Sequence, residues 1–274
     1  MTLPSPRKRR IIPALKRELD RWYRRVNRPE FILNDPVQFP HRYTDPADIE
    51  IAAFLAASIA WGRRELILRS AERMFALMGP SPAAFVMSGA CRRLKDSCVH
   101  RTFFEKDLKY FCRGFRACYA QYGSLGALFA SALSAAGTAL PEKPAAAPPA
   151  GDGIWKGISL FRETMARANN GSYTKHIADP AAGSACKRIN LALRWLVRRE
   201  GPVDIGLWKN IPPSALYMPL DIHSARSSRR LGLLARKSND RKAVVELTEK
   251  LRGFCPSDPV KYDLALFGMG VMFR

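Results

Sequence analysis

The sequence of 274 residues contains no apolar run long enough to cross a bilayer. Its longest, Ile51 to Trp61, is bounded by Glu50 on one side and by Arg63 and Arg64 on the other, and it covers only about half of the ~20 residues that a spanning helix needs. Residues Met1 to Arg10 carry Arg7, Lys8, Arg9 and Arg10 with no apolar core or small-residue cleavage site behind them, so a cytoplasmic location is expected. Cysteine pairs are also missing. Cys91, Cys98, Cys112, Cys118, Cys186 and Cys255 show no C-x-x-C spacing, which argues against a zinc ribbon or dithiol redox motif and leaves free buried thiols, with no metal site expected. Nowhere does strand alternation run between Asn-Gly or Asp-Gly turns, and helical periodicity dominates, so the chain reads as all-α. Acidic residues are scarce, 24 against 45 lysines and arginines, for a formal charge of +21 and a pI near 10.2. A field of that sign favours a polyanion, which could be DNA, RNA or an anionic membrane surface, with nucleic acid the favoured reading and no membrane partner expected.

What is present suits a folded chain. With 47% hydrophobic residues it can bury a core as one large domain or two intimate helical lobes. A basic N-terminal arm or helix occupies residues 1–30, with its helix over Ile12 to Asn27. Pro36 and Pro40 forbid a regular helix between Phe31 and Tyr43. Asp45 or Asp48 caps a helix whose body, Ile51 to Ile59, is apolar nearly all round, as a central helix would be. Further helices are expected over Leu66–Met78, Pro82–Met87, Phe103–Tyr122 and Ile154–Ala168. Residues 131–153, rich in Ala, Pro and Gly, read as a flexible linker. A helix from about Ser184 to Arg199 and two more after Asp221 and Asp240 complete the pattern.

Chemistry concentrates between Pro180 and Leu234. The loop Pro180-Ala181-Ala182-Gly183-Ser184-Ala185-Cys186 opens a helix beginning Lys187-Arg188-Ile189-Asn190, and amides at a helix start can grip a phosphate with help from Gly183, Ser184 and Arg188. Lys187 falls in the first turn, where a cation meets the positive helix end and is unhelpful unless an anion or a reaction partner uses it. Downstream, Met218-Pro219-Leu220-Asp221-Ile222-His223-Ser224-Ala225-Arg226 places an acid after an apolar-proline turn. Taken alone, Asp221 is an N-cap.

The run Pro219-Leu220-Asp221-Ile222-His223, with Arg226 and Arg229-Arg230-Leu231-Gly232 behind it, resembles the V-D-T-H-x-x-R-x-x-x-R-x-G signature of the helix-hairpin-helix (HhH-GPD) DNA glycosylase superfamily. That resemblance implies an all-α fold of two helical lobes around a cleft, one glycosylase-like unit over 1–274, with Asp221 catalytic and Lys187 matching the lysine after the family's hairpin. The hairpin here lacks the compact two-glycine turn, and the 34-residue step from Lys187 to Asp221 is closer to the archaeal oxoguanine branch. Glu50 to Ser58 resembles the early helix that ends near the DNA, which makes Ser58, Trp61 and Arg63 candidate contacts. Pro259 to Gly268 resembles the last helix of the core, and the chain stops before the four-cysteine loop of the iron-sulfur branch, so no cofactor and no cluster are expected.

The resemblance implies a monomeric base-excision repair enzyme acting at the nucleoid, a glycosylase with or without strand-cleaving lyase activity, that removes a damaged base such as oxidised guanine. Asp221 would stabilise the charge on the sugar or activate the attacking group, and Lys187 would attack the anomeric carbon. Lys209 is a reserve nucleophile on what reads as a connecting loop. The base must leave the stack, so Trp155, Trp195, Trp208 and Tyr217 are candidate stacking partners. His223 contacts DNA or supports the Asp221 loop, and Arg226, Arg229 and Arg230 are candidate phosphate ligands. The alternative is a non-catalytic nucleic-acid-binding protein on the same helical scaffold.

Overall fold

The structure, a computed structural model, describes the backbone of residues 6–137 and 152–272 and the side chains of 13–137 and 152–271. Helices dominate these residues: α1 (Pro6–Val26), α2 (Pro29–Leu33), α3 (Pro46–Ser58), α4 (Arg64–Met78), α5 (Pro82–Met87), α6 (Glu105–Tyr122), α7 (Leu125–Ala135), α8 (Gly153–Arg167), α9 (Lys187–Val197), α10 (Ile222–Arg230), α11 (Arg241–Arg252) and α12 (Tyr262–Met272). One departure from the all-α expectation is an antiparallel hairpin of β1 (Cys98–His100) and β2 (Phe103–Phe104). It is too short to show alternation, and it turns at Arg101 in left-handed backbone (φ +52°) rather than at an Asn-Gly pair.

The capping residues explain where helices start. Asp45 Oδ1 accepts from the amides of Ala47 and Asp48 at 2.9 and 3.2 Å, with Pro46 as the first helical residue of α3. Asp48, the other capping candidate, serves α5 instead, accepting from Ser81 Oγ at 2.8 Å and the Ala83 amide at 2.7 Å. Every residue of α3 from Asp48 to Ser58 is buried, as its all-round apolar character requires. Its Phe54 ring meets Phe115 of α6, Phe129 of α7 and Phe161 of α8. Each ring so buried contributes about 2 kcal/mol.

The N-terminal segment is no free arm from residue 13 onward. Leu19 and Tyr23 of α1 are buried, α1 packs against α12, and Arg17, Arg21, Arg24, Arg25 and Arg28 remain exposed on the outer side. The expected 131–153 linker is helical at both of its ends. Ser131 to Ala135 continue α7, burying Ala132 and Leu133, and Gly153 opens α8; residues 138–151 lie outside the described residues. Thiols are free, as expected, but Cys98 is exposed and Cys255 half-buried, while the other four are buried. Buried residues from Leu19 to Met269 form one contiguous core, and no helix among the described residues is long and apolar enough to cross a membrane.

Glu50 is the polar exception inside α3. It is 3% exposed and accepts from Tyr119 Oη, the amides of Leu125 and Gly126 at 2.9 and 3.0 Å, and Trp208 Nε1 at 2.7 Å. One carboxylate thereby caps α7 and ties α3 to α6 and to the loop after α9. Glu50→Gln puts an amide donor among groups that are all donors, and a loss of about 3 kcal/mol is expected in urea unfolding; an unchanged midpoint would remove Glu50 from this role.

Candidate active site

Residues 187, 191, 194 and 198 recur at helical spacing, and α9 turns Lys187, Leu191 and Arg194 toward one cleft. The loop before α9 is fixed from two sides. Gly183 adopts φ +80°, a conformation that glycine takes without strain. Its carbonyl accepts the Arg241 amide at 2.9 Å, and Ser184 forms a bridge with Asp240, so the start of α11 holds the loop. Cys186, buried, sits at φ +46° immediately before Lys187, a strained conformation for a residue with a side chain, costing about 1–2 kcal/mol. Lys187 is thus the first residue of α9, its direction set by a fixed loop.

Asp221 arrives by a different route. Met218 and Leu220 are buried, and the Met218 amide donates to Thr248 Oγ1 of α11 at 3.1 Å. Asp221 then caps α10, its Oδ1 accepting from the Ser224 amide at 2.7 Å and from Ser224 Oγ at 2.9 Å. That leaves Oδ2 facing Lys187 Nζ at 4.0 Å, with the side chains 16% and 33% exposed respectively. Lys187 Nζ also donates to the Ala60 carbonyl at 3.3 Å. The pair lies in a cleft of about 860 Å³ whose walls include Phe31, Trp61, Arg64, His223 and Phe267.

Beneath this pair runs a buried charge network. Arg194 binds Asp204 and Asp263, and Arg198 binds Asp204 and Asp258 while donating to Tyr23 Oη at 3.1 Å. Two guanidiniums face three carboxylates. Asp263, at the cleft floor, is 5% exposed. Burial, with a further push from Asp221, raises its carboxyl to about 6 against the opposing pull of Arg194. Asp35, also on the cleft and 14% exposed, is likewise raised, by burial first, with Arg64 3.9 Å away working against it.

Trp61 is held as a rigid plate on another wall. His176 stacks on it at 5.8 Å, His100 meets it edge-on at 4.8 Å, and the Arg188 guanidinium lies 5.1 Å from its ring. Burial pushes both histidines below their ordinary range, so neutral imidazoles support the indole at neutral pH.

Several sequence expectations change on contact with this geometry. Arg188 does not reach outward to a phosphate; it donates to the carbonyls of Ser58 at 3.0 Å and Lys175 at 3.3 Å. Ser58 is itself buried, because α3 ends inside the core. The glycine loop is no open phosphate nest, since the amides of Ala181, Gly183, Ser184 and Cys186 already donate within it. Nor is it a compact hairpin: α8 and α9 are joined by the ordered segment 168–186. Arg229 is spent on the loop after α10, donating to the carbonyls of Arg236 and Lys237 and to Asn239 Oδ1. Trp155, Trp195, Trp208 and Tyr217 are all core residues, at most 4% exposed, and none can stack on an incoming base. Lys209 is exposed and is not among the residues lining the cleft.

Other expectations converge on the cleft. Trp61, Arg63 and His223 line it with Lys187 and Asp221; Arg63 is 85% exposed at its mouth, and Arg226 is exposed on α10. His223 packs edge-on against Phe267 at 6.0 Å. Sequence reasoning missed Asp35, Arg194 and Asp263. Arg194 had a signal, its seven-residue step from Lys187 on an otherwise apolar face, but neither acid stands in a local pattern that separates it from other carboxylates. Among the described residues no three His, Cys, Asp or Glu side chains gather in a way that would hold a metal ion.

A family model described as "Protein of unknown function (DUF2400)" matches residues 35–272. No curated protein and no solved structure matches the chain.

The raised Asp263 carboxyl has a consequence for stability. Between its ordinary value of 3.8 and about 6 the folded protein keeps a proton that the unfolded chain has released. Its contribution is therefore complete below about pH 4 and is lost as the pH rises through about 6, a swing of about 3 kcal/mol. In Asp263→Asn, which carries no titrating group there, urea midpoints should fall less than in the wild type across that window; parallel curves would show that Asp263 titrates as an ordinary carboxylate.

Proposed function

We propose that this chain, which belongs to the DUF2400 family of proteins of unknown function, is a DNA glycosylase that uses Lys187 as an amine nucleophile and Asp221 as its acid-base partner. The observation that supports this reading best is the pair itself: an accessible lysine amine 4.0 Å from a capped carboxylate, each placed by the start of a different helix, on a protein of charge +21. The helix-hairpin-helix resemblance around Asp221 supports the same reading, with the two-lobed glycosylase fold, a monomeric state and a cytoplasmic, nucleoid-bound role as parts of the proposal.

An amine must be neutral to attack carbon, and Asp221 Oδ2 stands where it can take the ammonium proton, directly or through a water. Lys187 Nζ then forms a bond to the anomeric carbon of a nucleotide turned into the cleft. The glycosidic bond breaks, the base leaves with the bonding pair and gains a proton, and opening of the sugar gives an imine on Lys187. Asp221 offsets the positive charge that develops on the sugar. The cleft suits an extruded nucleotide. Trp61, on the cleft wall, is the aromatic candidate for contact with a flipped base. Arg63 and Arg64 supply positive charge at the mouth for the strand that delivers it.

The test is borohydride reduction of the protein mixed with duplexes that each carry one damaged base or an abasic site. The wild type should form a covalent protein–DNA product, Lys187→Ala should form none, and Asp221→Asn should slow it by about 10²-fold or more. Lys209→Ala should behave as wild type. Base release without a covalent product would leave Asp221 as the agent of a monofunctional enzyme, and salt-sensitive binding with neither would mark a non-catalytic DNA-binding protein.

A further inference from the structure

Ser224 stands between two carboxylates. Its Oγ lies 2.9 Å from Asp221 Oδ1 and 3.3 Å from Asp263 Oδ1, and a hydroxyl carries a single hydrogen, which can bond one of them fully but not both. If both acids were ionised, the longer contact would bring two acceptors together with at most a minor share of that hydrogen between them. A proton on either carboxyl removes the conflict. The surroundings decide which one carries it: Asp263 is the more deeply buried, and the network around it has one carboxylate more than it has guanidiniums.

We infer that Asp263 is a positioning residue for the Lys187–Asp221 pair: while protonated, this buried acid donates to Ser224 Oγ, so that the Ser224 hydrogen is committed to Asp221. The resulting line of donors runs from Asp263 to Ser224 to Asp221. Asp221 Oδ1 is then gripped by two hydrogens, from the Ser224 amide and its hydroxyl, and the carboxylate cannot rotate away. Oδ2 stays directed at Lys187. Ionising Asp263 reverses the pull on the Ser224 hydrogen and loosens Asp221.

The charged groups around Asp263 come from each element packed on it. Arg194 of α9 binds Oδ2 and is shared with Asp204 of the following loop. Asp221 faces it from the start of α10. On α1, Asp20 is occupied by Lys16, Lys261 and Tyr262. The nearest cation is therefore divided among carboxylates, which agrees with the upward displacement of the Asp263 carboxyl to about 6.

The inference rests on the amine-and-carboxylate reading of the cleft for its function, but not for its structure, and the two can be tested apart. Full-length protein with ¹³C-labelled aspartate carboxyls is titrated by NMR between about pH 4 and pH 9. The Asp263 carbon should titrate well above the ordinary carboxylate range, and the Asp221 carbon should shift in step with it. In Ser224→Ala, which keeps both acids and the helix cap, Asp263 should still titrate while the step on Asp221 collapses. Titration of Asp263 in the ordinary range, or an Asp221 step of undiminished size in Ser224→Ala, would overturn the inference. In the borohydride reaction, the inflection near pH 6 should be lost in both Ser224→Ala and Asp263→Asn, the asparagine serving as a permanent mimic of the protonated acid. Absence of any covalent product at every pH would defeat the proposed reaction and leave the NMR result to decide the role of Asp263.

Discussion

The arrangement of the cleft depends on a buried pairing, Arg194 of α9 and Arg198 just past its end against Asp204, Asp258 and Asp263. Removing ions from water costs several kcal/mol apiece, and attraction inside the protein does little more than return that cost when the geometry is good. Such a network is a weak source of stability and a strong source of position. Here it fixes the face of α9 relative to α12 and to the loop after α9, and through Ser224 it reaches the cap of α10. Lys187 lies two turns along α9 from Arg194, and Asp221 sits one hydroxyl away from Asp263. Two residues far apart in sequence are brought to 4.0 Å because the same charged cluster sets the helix that carries each.

The apolar part of the molecule leaves this site on rigid ground. Glu50 binds the ends of three segments around α3, and the rings packed on Phe54 hold α6, α7 and α8 behind it. The chain leaving α3 passes directly into the cleft wall at Ala60 and Trp61, where Arg188, His100 and His176 immobilise the indole. Lys187 and Asp221 thus stand at element ends, each held by hydrogen bonds of its own, as accurate placement of reacting groups requires. The strained backbone at Cys186, beside the one cleft residue whose amine would react, fits the tendency of such strain to collect at functional positions.

Much of the helical pattern was legible in the sequence, because periodicity, prolines and capping aspartates act locally. Asp45 with Pro46, the range Pro82–Met87 and the cap at Asp221 follow from neighbours a few residues away. The two-stranded hairpin was not legible, since its turn uses Arg101 in a conformation that sequence disfavours. At the site, Lys187, Asp221, Trp61, Arg63 and His223 were marked in advance and do share the cleft. The errors have a common physical form. Arg188 and Arg229 looked like phosphate ligands because arginine on a basic chain usually meets solvent, but both are consumed by backbone carbonyls at a helix end and in loops. Four aromatic residues looked available for stacking and are core, since nothing local distinguishes a ring facing inward from one facing a cleft. Asp263 carries meaning only through partners 39 and 69 residues away, Ser224 and Arg194, which no local window along the chain contains.

The central claim is that the amine of Lys187 reacts with sugar carbon while Asp221 attends it. The most direct measurement is peptide mapping by mass spectrometry of the borohydride-reduced product formed with a duplex containing an abasic site, after nuclease digestion of the DNA. The expected result is a deoxyribose-derived mass increment confined to Lys187. An adduct on another amine, Lys209 or the N-terminus among them, or saturating DNA binding with no adduct at all, would contradict it.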